Sequence, residues 1–184
     1  MIDKNYQGQL LVSNPLNPRD ELSSSVILVI THNEKSSVGL QINNRISGLD
    51  LSTVAHGVGI WYDGQEPVYR GGNVGPNKIH VIHSQDWMGI NSSPITDTLA
   101  ITNDISVIAA ISQNEGPEYF RACAGVWLWE NGVLDSQMDM KNKEMIHRWE
   151  TLTPTINSVF DLDESEQWRR CLELSACSQV GLYF

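Results

Sequence analysis

Apolar residues along this chain come in short blocks, each broken off by a cluster of Asn, Pro, Gly or Ser. Gln9–Ser13 is an apolar block ending at Asn14-Pro15 and predicts a first strand; two prolines and two asparagines then give residues 14–20 loop chemistry. Val26–Ile30 is a continuous aliphatic run of the kind found in strands buried on both faces. Across the polar stretch His32–Ser37 it predicts a hairpin with Val38–Asn43, where Leu40 and Ile42 share one face and Gln41 and Asn43 the other. Leu49–His56 predicts a short helix capped by Asp50, with Leu51, Val54 and Ala55 inward and Gly57 ending it. Ile79–His83 and Leu99–Thr102 predict further strands. Asp104–Asn114 predicts a helix, capped by Asn103 or Asp104, with Ile105, Ile108, Ala109 and Ser112 on one face and Gly116-Pro117 as its stop. Tyr119–Trp129 reads as a long strand running into the tight-turn pair Asn131-Gly132. Asn142–Glu150 predicts a helix with Met145, Ile146 and Trp149 on one side. A last helix begins at Asp163, with Glu166 at capping-box spacing and Trp168, Cys171 and Leu172 inward; Val180–Phe184 is an edge strand or a docked tail.

Composition narrows the class. The 184 residues suffice for one domain with a core, 41% are apolar and 18% charged, and no Pro/Gly/Ser-rich linker divides them. One domain over residues 1–184 is therefore expected. A net charge of -10, with Arg169-Arg170 as the longest basic run, disfavours direct nucleic-acid binding, which needs a clustered basic face. The same acidity suits solubility or a basic protein partner. The N-terminal segment lacks a secretory apolar core, and Val26–Ile30 is far too short to span a bilayer, so a cytoplasmic protein without a membrane segment is expected. Cys123, Cys171 and Cys177 are odd in number and form no C-x-x-C; Cys123 and Cys171 read as small core residues.

Candidate chemistry is sparse. His80 and His83 form an H-x-x-H, but on a strand they point to opposite faces, so no metal is expected there. No G-x-S-x-G elbow and no G-x-x-x-x-G-K loop occurs. Gly57-Val58-Gly59 lacks a third glycine, and Asp161–Glu164 suits a helix N-terminus better than a calcium loop. No cofactor is expected. Gly71-Gly72 predicts either a tight chain crossing or an anion-binding nest, the latter completed by the neighbouring Arg70. Together with His83, these residues form the candidate ligand site. Trp127 and Trp129 share one strand face, either as core or as an exposed hot spot for a protein partner.

Several stretches, in order, resemble the YqgE/AlgH family: Gly8–Leu16, Ser25–Asn33 continuing to Val38–Arg45, Val68–Val74, Val81–His83, the helix near Asp104, and Val159–Asp161 with Trp168. Together they span about residues 8 to 175. The resemblance implies an α+β fold, a single compact domain with a curved, barrel-like, mostly antiparallel sheet flanked by helices, in a bacterial-type cytoplasmic setting. Asn73 stands where the family usually has proline. The family's Gly-Gln pair is missing from Cys123–Asp135, so no functional residue is carried over through that turn. No complete nucleophile, metal or phosphate constellation can be assembled, so a non-catalytic regulatory or protein-interaction role is expected, with any effect on transcription indirect. The alternative is a small-molecule-binding protein or hydrolase-like enzyme with a pocket near Gly71-Gly72 and His83.

Overall fold

The computed structural model describes residues 4–16, 19–139 and 148–181. The elements run β1 (Leu10–Ser13), β2 (Val26–His32), β3 (Ser36–Gln41), β4 (Arg45–Asp50), α1 (Leu51–Gly57), β5 (Pro67–Arg70), β6 (Val74–Ser84), β7 (Ser93–Pro94) and β8 (Leu99–Thr102). They continue with α2 (Ser106–Ser112), β9 (Phe120–Glu130), α3 (Val133–Met138), β10 (Trp149–Leu152), a π-helical turn (Asn157–Asp161) and α4 (Glu164–Gly181). The strands join one curled sheet in the order β10-β1-β2-β3-β9-β6-β8-β7, with β5 also on β9 and β4 on β5. Every pairing is antiparallel except β5 with β9. The fold is the α+β arrangement expected, a curled antiparallel half-barrel with helices in a single compact domain.

Alternation along the strands sorts the core onto two faces. Leu10, Val12, Val26, Leu28, Leu40, Ile42, Tyr69, Ile82 and Cys123 line one face, and the π-helical turn and α4 cover it with Val159 and Cys171. On the other face Leu11, Ile27 and Val29 pack with Trp127, Trp129 and Trp149, while α1 and α2 bury Leu51, Ala55, Val107, Ile108 and Ile111 over β5, β6 and β9. The hub is β9. Its first half lies between β5 and β6, through Val68↔Ala122 and Val81↔Ala122, and its second half pairs with β3 through Gly39↔Trp127.

A single glycine lets β9 serve both halves. Ala122 and Ala124 face α1 and α2, and Cys123 faces α4. Beyond Gly125 the parity inverts: Val126 packs on the α4 face, and Trp127 and Trp129 go to the opposite one. Gly125 has φ +73, a left-handed conformation that suits glycine, and the register of β9 against β6 shifts at this point, between Val74↔Val126 and Ile79↔Ala124. Gly39 on β3 leaves room opposite: an added Cβ would sit 2.6 Å from Ile27 Cγ2 and 3.1 Å from the Trp129 ring.

The β2–β3 hairpin and strands β1, β6, β8 and β9 form where the apolar blocks predict them. So does α1, where Asp50 accepts a hydrogen bond from Thr53 N at 2.9 Å. Other local expectations change. Asp104 accepts from Ser106 N at 2.8 Å, and Ile105 takes the N-cap position of α2, half-exposed, while Val107, Ile108 and Ile111 turn inward. Asn131-Gly132 forms the tight turn expected, with Gly132 at φ +73 as the N-cap of α3. Trp149 belongs to β10, not to a helix; the rest of the helix expected at 142–150, up to residue 147, lies outside the described residues. At α4, Glu166, at capping-box spacing from Asp163, pairs with Arg169 at 3.0 Å. Val180 and Gly181 end α4, and 182–184 lie outside the described residues.

Candidate functional site

The predicted ligand residues do not converge on an open site. Gly71 and Gly72 sit where β5 crosses β9. A Cβ on Gly71 would lie 2.3 Å from Gly125 O, and one on Gly72 would lie 2.0 Å from the Val126 carbonyl carbon. Gly71 N donates to Ala124 O and Gly71 O accepts from Gln41 N, both at 2.8 Å. Backbone therefore fills the space that an anion in a nest would need, and of the two predicted geometries this is the tight crossing. Arg70 is exposed, on the last position of β5. His83 is fully buried: Nδ1 lies 2.9 Å from Ser84 O, Nε2 lies 3.2 Å from Ser92 Oγ, and Trp87 packs edge-on at 5.3 Å. A carbonyl partner makes Nδ1 the donor, so Nε2 accepts from Ser92 and neither nitrogen is left for a ligand. Burial pushes the His83 pKa down, against the hydrogen bond to Ser84 O and the nearby Asp86.

The tryptophans are core, not surface. Trp127 and Trp129 are 9% and 6% exposed, which corrects their assignment as a partner-binding pair. Trp127 Nε1 donates to Gln41 Oε1 at 3.4 Å, and Trp129 packs edge-on against the fully buried Trp149 at 6.5 Å. The register shift at Gly125 carries them to the face where Leu11, Ile27 and Val29 wait.

Among the described residues, a serine–histidine–carboxylate alignment does occur. His32 Nδ1 lies 2.8 Å from Ser37 Oγ, and His32 Nε2 lies 3.6 Å from Asp135 Oδ1. Ser37 is only 3% exposed, on β3 inside the sheet. A nucleophile must meet a substrate carbonyl; this hydroxyl instead ties β3 to β2. Among the described residues, no three His, Cys, Asp or Glu side chains come together as metal ligands would.

What the surface does offer is an apolar groove between the two short helices. Val54 and Val58 at α1, Ile79 and Val81 on β6, and Ile105 and Ile108 at α2 border a 190 Å³ hollow. Val58 and Ile105 are each 48% exposed at its mouth. Beyond the end of α1, Trp61 is 81% exposed and stacks on His56 at 5.3 Å. Asp104 stands at the rim, its carboxyl held below the usual range by the Ser106 backbone N–H and the Asn91 amide. Hydrophobic periodicity did not point to this groove, because it predicts Ile105 to be inward. Ile105 takes the N-cap position of α2, half-exposed, one position before the inward stripe begins.

The family described as AlgH-like (DUF179) matches residues 10–178. The chain belongs to this family. A UPF0301 protein of Sphingopyxis alaskensis is 28% identical over 166 residues, covering 89% of this chain and 86% of that protein. One from Methylococcus capsulatus is 26% identical over 168 residues, covering 90% and 89%. Among solved structures, the AlgH protein of Pseudomonas aeruginosa superposes with a TM-score of 0.75 at 23% identity, covering 95% of this chain and 90% of that one. A Corynebacterium diphtheriae protein superposes at 0.70 with 21% identity, covering 90% and 85%. At these identities the superpositions speak for the fold. Within the described part of this AlgH-like chain, no helix is long and apolar enough to cross a membrane.

Proposed function

We propose that this AlgH-like protein is a non-catalytic regulatory protein of the cytoplasm that works by docking a protein partner in the groove between α1 and α2. The observation that carries this reading is the pair Val58 and Ile105, each about half-exposed over one apolar hollow, with Trp61 81% exposed beyond the end of α1. Apolar side chains held outward on rigid helix ends are what a partner's hydrophobic anchor buries, and tryptophan is the residue type most enriched in binding hot spots. The rim is acidic at Asp104 and the chain carries a net charge of -10, so a partner with an apolar anchor and a basic surround fits best. The same charge supports an indirect route to any effect on transcription, since duplex DNA would be repelled.

The test is a double variant, Val58→Asp with Ile105→Asp. Both side chains are half-exposed, so the fold is expected to persist by circular dichroism and amide NMR. A partner held stoichiometrically by the wild-type protein is expected to be lost from the variant. A partner retained equally by both proteins would overturn the reading, and so would retention of a metabolite with no protein. A second reading, small-molecule binding, is favoured by a different feature on the α4 side of the sheet.

A further inference from the structure

On the face covered by α4, β9 places a guanidinium in the core. Arg121 is 5% exposed, and its planar group lies 4.4 Å over the Tyr69 ring. Its hydrogen bonds all go to neutral acceptors: Nη1 to Ile42 O and to Gln167 Oε1 at 2.9 Å, and Nη2 to Phe160 O at 3.3 Å. Gln167 also donates to Ser158 O and Val159 O, so these two side chains together hold the carbonyls of the π-helical turn. This accounts for three guanidinium donors. Among the described residues, Nε–H and one Nη2–H have no protein acceptor, and Arg121 enters none of the ion pairs. A buried cation without an anion is costly, and a guanidinium with idle donors suits a carboxylate.

Those donors border a cleft. A 380 Å³ chamber is lined by Arg45, Tyr69 and Arg121 on the sheet and by Asp161, Asp163 and Glu164 where the π-helical turn passes into α4. A second chamber of 200 Å³ shares Tyr69, Arg121 and Phe160 with it and reaches Glu66. In the first chamber Glu164 Oε2 is buried without a hydrogen-bond partner, while at the second the Glu66 carboxylate accepts from the Tyr62 hydroxyl. The cleft thus presents idle donors on Arg121 together with an idle acceptor, and that acceptor is on an acid. A simple anion such as phosphate would satisfy Arg121 but face the surrounding carboxylates. A simple cation would satisfy Glu164 but face two guanidinium groups. π-Helical turns are rare and recur at functional sites; this one forms the wall of the cleft.

We propose that the cleft binds a small zwitterion of the α-amino acid type, with its carboxylate on Arg121 and Arg45 and its ammonium on Glu164. The 380 Å³ chamber is within the range of small-molecule sites, and both ligand charges would replace partners that the protein itself leaves unmet. The site is independent of the α1–α2 groove, so either proposal can fail without the other.

The experiment is an amide NMR titration of the full chain with L-alanine, L-glutamate and L-lysine in turn, and with acetate, methylammonium and inorganic phosphate as part-ligands. At least one amino acid is expected to give saturable shifts confined to Tyr69, Arg121 and residues 160–164, while the part-ligands do not saturate. Glu164→Gln, which keeps shape and removes charge, is expected to weaken that amino acid about tenfold or more. Arg45→Ala, at an exposed position, is a second variant expected to weaken binding without touching the core. Absence of saturation by all three amino acids up to about 10 mM would overturn the proposal. So would saturation by phosphate or acetate at matching concentration, which would mark a plain anion site, or an unchanged affinity in Glu164→Gln.

Discussion

Gly72→Ala tests the crossing on which the sheet turns. The new methyl would lie 2.0 Å from the Val126 carbonyl carbon and 2.2 Å from both Trp127 N and Val126 O. Carbon contacts are relaxed at about 3.5–4.0 Å, so β5 and β9 must part by about 1.5 Å. The obstacle is backbone, which cannot swing aside as a side chain can. Separation would strain the 2.8 Å bonds Gly71 N to Ala124 O and Gln41 N to Gly71 O, each contributing about 0.5–1.5 kcal/mol net. Overpacking itself costs about 1–3 kcal/mol. The sum is a loss of about 2–6 kcal/mol, a large part of the ~5–15 kcal/mol stability of an ordinary domain. Gly57→Ala is the control: it lies at the end of α1 with nothing within 4 Å of an added Cβ, and a change of less than about 1 kcal/mol, toward greater stability, is expected. Urea unfolding followed by tryptophan fluorescence reports both, with the buried Trp127, Trp129 and Trp149 as probes. A loss below about 1 kcal/mol for Gly72→Ala at unchanged m would refute the tight crossing and reopen the nest geometry beside Arg70.

Two further measurements follow from buried titrating groups. Burial pushes the Cys123 thiol up to about 12 and the Cys171 thiol up to about 11, while Cys177 is exposed on α4, so alkylation of the native protein at neutral pH is expected to label Cys177 alone and urea to expose all three; labelling of Cys123 in the native state would contradict the packing of β9. His83 is held below the ordinary 6.5 chiefly by burial, and His80 by burial and then by Lys78, so the unfolded chain binds protons that the folded one refuses. Their contribution to stability is complete above about pH 6.5 and is lost as the pH falls from there toward the folded values. The urea midpoint should therefore drop between about pH 7.5 and about pH 5.5, and His83→Gln should flatten that drop; an unchanged midpoint over this range would refute it.

The sequence by itself determined what local chemistry can determine. Continuous aliphatic runs produced β2 and the hairpin to β3, Asp50 produced the cap of α1, and the ordered stretches from Gly8 to Trp168 carried the family. Short elements were less legible: β4, β5, β7 and β10 have few residues or mixed polarity, and their strand state depends on a neighbour already in place. Strand alternation in sequence correctly puts Trp127 and Trp129 on one face, but which face depends on the left-handed turn at Gly125, and that turn depends on Gly72 and Val74 pressing against it. The groove depended on where α2 begins, which leaves Ile105 at the N-cap position and half-exposed. Arg121 carried no signal, since a lone arginine in an apolar strand has no motif. Its character comes from Tyr69, Phe160 and Gln167, brought from three other segments, because burial, charge balance and unmet hydrogen bonds are properties of neighbours in space that no local pattern along the chain encodes.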